Sequence, residues 1–139
     1  MNATRPFAIL AWIALPAVMY GGYALLSLLT HNGLDEFRQT FFRAGHAHAG
    51  VLLLLALLYH SYLSRTTISN PLKLGASSVL LLGILAQSGG FFLHMAIGEP
   101  GVPSLGTTVT SIGAGLLAAA IAVLVYALIT AWNPDPREV

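Results

Sequence analysis

Apolar residues run through this chain in four long blocks separated by short polar breaks. The blocks extend over about 7–30, 37–64, 72–97 and 105–132. Each holds about 20 residues or more, enough for a helix to cross roughly 30 Å of hydrocarbon. The connections, His31 to Glu36, Arg65 to Pro71 and Gly98 to Ser104, are short. Short links force neighbouring helices to run antiparallel, so the pattern predicts an all-α, four-helix, up-down-up-down membrane bundle. No repeat, linker or second domain interrupts residues 1–139, which are expected to form a single transmembrane domain. Pro16 is expected to kink the first helix, since neighbours in a membrane can satisfy the carbonyl it frees. The first apolar run is longer than that of a signal peptide, and no small-x-small cleavage site follows it. The tail Asn133-Pro134-Asp135-Pro136-Arg137 cannot continue a helix and is expected to fray.

Composition strengthens the membrane assignment. The chain is 56% hydrophobic and 8% charged, against about 25% charged in soluble domains. A net charge of +1 without a basic run argues against nucleic acid as a partner. With no cysteine, the chain cannot form disulfides, thiolate metal sites, iron–sulfur clusters or c-type haem attachments. Arg5, Arg65, Lys73 and Arg137 fall on the side of the termini and middle link, and Arg38 and Arg43 on the other. This bias predicts that both termini are cytoplasmic.

Candidate chemistry gathers at the opposite face. Under this topology His31, His46, His48, His94 and Glu99 share one end of the bundle, while His60 lies near the other. At about 100° per residue, His46 and His48 project about 160° apart around their helix. His46 shares a face with Arg43 and Gly50. Gly83, Gln87, Gly90 and His94 form one stripe on the third helix, and Thr107, Ser111 and Gly115 a small-residue seam on the fourth. Gln87 is expected to hydrogen-bond toward that Thr/Ser row. Arg43 is expected to pair with Glu99, Asp35 or Glu36, or with a haem propionate, which suits its planar fork. No phosphate-binding glycine loop, His-Glu-x-x-His motif or nucleophile elbow occurs.

Arg43-x-x-His46, followed by small and then leucine-rich residues, resembles the second helix of subunit I in haem-copper oxidases and nitric oxide reductases. The resemblance covers about twenty residues and implies that His46 ligates a haem with Arg43 beside it. That family's chains are far longer, and their remaining ligands lie on later helices without counterparts here. His94 would therefore serve as the second ligand, and oxygen or nitric oxide reduction is not implied. The Gly45-His46-Ala47-His48 run also resembles that of small four-helix bacterial membrane proteins, implying a bacterial inner membrane.

Three functions follow as expectations. The first is a small redox protein binding b-type haem through His46 and His94, with Arg43 nearby and Gly45, Gly50 and Gly90 giving the ring room. It would pass electrons between a quinone and another redox partner, or sense a gas. The second is a copper- or zinc-binding or transport protein using His46, His48, His94 and Glu99. The third is an accessory subunit of a homo-oligomer or larger membrane complex, with histidines that join helices.

Overall fold

The computed structural model describes residues 3–31 and 33–132, so the tail discussed above lies outside the described residues. The fold is all-helical: α1 (Arg5–Thr30), α2 (Glu36–Ser64), α3 (Asn70–Ile97) and α4 (Leu105–Trp132). All four helices are long and apolar enough to cross a membrane. At 1.5 Å per residue a helix of this length reaches about 40 Å.

The boundaries have local causes. Pro6 and Pro71 occupy the first turns of α1 and α3, where a missing N–H costs no helical bond. These helices therefore begin two residues before the expected apolar blocks. α1 stays helical through Pro16. Asp35 caps α2 by accepting the Arg38 N–H at 2.8 Å, and its carboxylate also pairs with the Arg38 guanidinium. At the far end of α2, buried Lys73 donates to Thr66 O at 2.7 Å and Ser64 O at 3.4 Å. The cation thus serves carbonyls at and just past the end of α2. Gly101 takes a positive φ of 75° in the α3–α4 turn, a conformation few other residues adopt.

The core lies among α2, α3 and α4, around Leu63, Leu80, Ile84, Leu117 and Ala120. Tyr59 OH donates to Ala120 O at 2.9 Å, tying α2 to α4. α3 and α4 pack most closely, and α1 joins mainly through α2. Phe7 at the start of α1 meets His60 near the end of α2, and Gly21 farther along α1 meets His46 near the start of α2. Ala11 is the one buried residue of α1, while Trp12, Ile13, Met19, Tyr20 and Tyr23 are all exposed.

The α3–α4 seam differs from the expected one. Gly115 has open space where a side chain would stand, and Ser111 is exposed. Contact instead runs through Gly106, Thr110, Gly113 and Leu117 of α4 against Gly83, Gln87, Gly90 and His94 of α3. A Cβ on Gly106 would lie 2.6 Å from Gly90 O, and one on Gly113 would lie 2.7 Å from Gln87 Cα. The predicted α3 stripe therefore makes the contact, with a different face of α4. Gln87 contributes its backbone carbonyl, which accepts from Thr110 Oγ1 at 3.5 Å.

Candidate functional site

The five imidazoles occupy distinct settings. His31 Nδ1 donates to Ser27 O at 2.7 Å at the end of α1. His48 Nδ1 donates to Ala44 O at 2.8 Å, and its ring lies 4.7 Å from that of Phe91. His60 is buried between Phe7 and Tyr59, with Nδ1 3.4 Å from Ser77 Oγ of α3. His94, also buried, places Nδ1 2.7 Å from Ser104 Oγ. Its ring meets Phe41 and Phe37 edge-on at 4.3 and 5.3 Å, and Ser104 Oγ also accepts the Gly106 N–H. His94 thus fastens the end of α3 to the start of α4.

His46 is different. It is half-buried and has no hydrogen-bond partner among the described residues. Its nitrogens face α1: Nδ1 lies 3.3 Å from where a Gly21 Cβ would stand, and Nε2 3.2 Å from where a Gly22 Cβ would stand. Two consecutive glycines therefore let the ring rest almost on the α1 backbone. Beside it is a cleft of about 300 Å³ lined by Ala14, Ala17, Val18, Gly21, Phe42, Ala49 and Phe92. Gly50 faces the same helix, 3.7 Å by its absent Cβ from Val18 Cγ1. Arg43 lies about one turn away on α2, exposed and without an ion pair among the described residues. The expected carboxylate partners are not used by it, since Asp35 pairs with Arg38.

The structure does not gather the predicted residues around one centre. His46 turns toward α1, whereas His94 is engaged with Ser104 and the phenylalanines of α2. Gly45 and Gly90 do not leave space for a ring. Phe92 lies 2.9 Å from a Gly45 Cβ position, and Gly106 O lies 2.7 Å from that of Gly90. The proposed metal set His46, His48, His94 and Glu99 is likewise not assembled. Among the described residues no group of three or more His, Asp or Glu side chains could hold a metal ion. Glu99 instead borders an exposed depression with Asp35, Glu36, Phe37, Arg38 and Phe41.

Sequence reasoning missed Gly21 and Gly22 as the surface that receives His46. Their adjacency was visible, but the rotation of α2 that turns His46 toward them was not. No protein-family model, curated protein or solved structure matches this chain.

Proposed function

We propose that this chain is an integral membrane protein that binds b-type haem through His46 in the groove between α1 and α2. The observation that carries this reading is the contrast among the histidines. Four imidazoles have hydrogen-bond partners within the protein, while neither nitrogen of His46 has one among the described residues. A polar group at such depth is costly without a partner, which makes it a functional candidate by default. The donor set suits the group once α1 moves off the ring: the His46 imidazole would then reach the iron, and the Arg43 guanidinium, without an ion pair among the described residues, lies a turn away for a propionate. Apolar walls and the Phe42 and Phe92 rings suit the macrocycle's faces. The resemblance of Arg43-x-x-His46 to the haem-ligating helix described above supports the same assignment. When bound, haem supplies one-electron redox chemistry or gas binding, tuned by its axial ligand and burial. His46 would hold and orient it, and the surrounding hydrocarbon side chains would exclude water.

The helices in this reading run up-down-up-down through a bacterial inner membrane with both termini in the cytoplasm. The exposed apolar surface of α1, the end-to-start contacts between successive helices and the distribution of basic residues support this arrangement. His48 and His94 act as structural groups, His94 joining the end of α3 to the start of α4.

The test is an absorption spectrum of protein purified in detergent from haem-replete cells. A Soret band is expected in the wild type and in His94→Ala, and its loss is expected in His46→Ala. A colourless wild type, or colour that survives His46→Ala, overturns the assignment.

A further inference from the structure

A second cavity lies where α1 meets α2 and α3, near the opposite end of α2 from His46. It has a volume of about 190 Å³. Its walls are hydrocarbon from Leu10, Ala11, Leu53, Ala56, Leu80 and neighbouring apolar residues, with one exception, His60. That side chain is 4% exposed. Its Nδ1 faces Ser77 Oγ, and Nε2 has no hydrogen-bond partner among the described residues. The ring also borders a surface cleft beside Thr4, Arg5 and Trp12, so it stands as a partition between cavity and surface.

Size and chemistry define what such a space takes. An apolar cavity of about 150 Å³ in a protein core is known to stay dry and bind benzene. This one is somewhat larger, which leaves room for a six-membered ring with a small substituent. A purely hydrocarbon guest would offer no hydrogen-bond partner to the one polar side chain on this wall. A ring bearing a polar oxygen satisfies the nitrogen and fills the space together. Few convergent polar groups in a mostly apolar pocket are the usual composition of a small-molecule site.

We propose that this cavity binds the head of a lipid-soluble phenol or quinone, with His60 hydrogen-bonded to its ring oxygen. The ligand would enter from the bilayer between α1 and α3, helices that meet far less extensively than α2 meets either. The site shares only the Ala14 wall with the His46 groove and stands on its own observations, so a colourless protein would not bear on it.

The test uses para-cresol as probe and toluene as its oxygen-free counterpart, titrated into full-length protein in detergent micelles and followed by NMR with labelled histidine and alanine methyls. Cresol is expected to shift the His60 Nε2 resonance and to give cross-relaxation to the Ala11 and Ala56 methyl groups. It should bind several-fold more tightly than toluene, a preference lost in His60→Leu. Ala56→Leu, which fills the cavity, should abolish cresol binding. Ala11→Leu does the same from α1 if the α2 variant fails to fold. Equal affinity for the two probes in the wild type overturns the proposal. So does cresol binding without contact to the Ala11 and Ala56 methyls, an outcome read without any variant.

Discussion

His46 and His94 carry the same ring in adjacent helices, and their surroundings set different tasks. His94 is fixed by Ser104 Oγ at 2.7 Å and by two phenylalanine edges, so its substitution should loosen the α3–α4 turn. His46 meets only glycine backbone and hydrocarbon, so its substitution should leave the internal hydrogen bonds intact. A charged group outside the spans allows a pH prediction. The Arg38 N–H, with the guanidinium beside it, holds the Asp35 carboxyl below its usual range. The folded state therefore favours the carboxylate. Its contribution is present above the unfolded-state value of about 3.9 and is lost as pH falls through the lower folded value. Backbone amides of the first turn of α2 should exchange faster with solvent as pH drops through that window, after correction for the intrinsic rate. Asp35→Asn, which retains a capping oxygen but no charge, should flatten the dependence. Persistence of the full dependence in the variant would refute this account.

At the scale of elements, the α3–α4 seam separates neighbouring glycines sharply. Gly89 has open space where a Cβ would stand, while Gly90 is pressed against Thr110 and Gly106. Gly89→Ala should be neutral or stabilising by about 0.4–1 kcal/mol, because it restricts the unfolded chain. Gly90→Ala must push backbone aside and should cost about 1–3 kcal/mol or more, as overpacking does. Equilibrium unfolding in mixed micelles measures both, and equal effects would contradict the close approach. The seam also explains what could be read from sequence. Lengths and breaks of the apolar blocks placed all four helices, because crossing hydrocarbon demands length whatever the helix's rotation. The α3 stripe was legible since Gly83, Gln87, Gly90 and His94 stand out from bulky neighbours. The α4 face was not. Gly106, Thr110 and Gly113 compete with Thr107, Ser111 and Gly115, and a lipid-facing side can be as apolar as a buried one. The same ambiguity hid the direction of His46, and with it the role of Gly21 and Gly22. Cavities were beyond reach, since they depend on how imperfectly α1 settles against α2 and α3.

At the scale of the whole molecule, the up-down arrangement and its orientation make a joint prediction that can be taken apart. In the described chain, α2 begins at Glu36, the α2–α3 link contains exposed Thr67, and the α3–α4 turn contains exposed Val102. Alternating helices put Glu36 and Val102 at one face and Thr67 at the other. The basic residues then predict the sense. Arg5, Arg65 and Lys73 accompany Thr67, whereas Arg38 and Arg43 accompany Glu36, and an excess of Lys and Arg marks the cytoplasmic side. Because the chain has no cysteine, single substitutions report without background. Glu36→Cys and Val102→Cys should react with a membrane-impermeant thiol reagent on intact spheroplasts, and Thr67→Cys only after the membrane is opened. Reaction of Thr67→Cys alone on intact cells would invert the orientation and leave the alternation standing. Reaction of Thr67→Cys together with Val102→Cys would end the alternation itself.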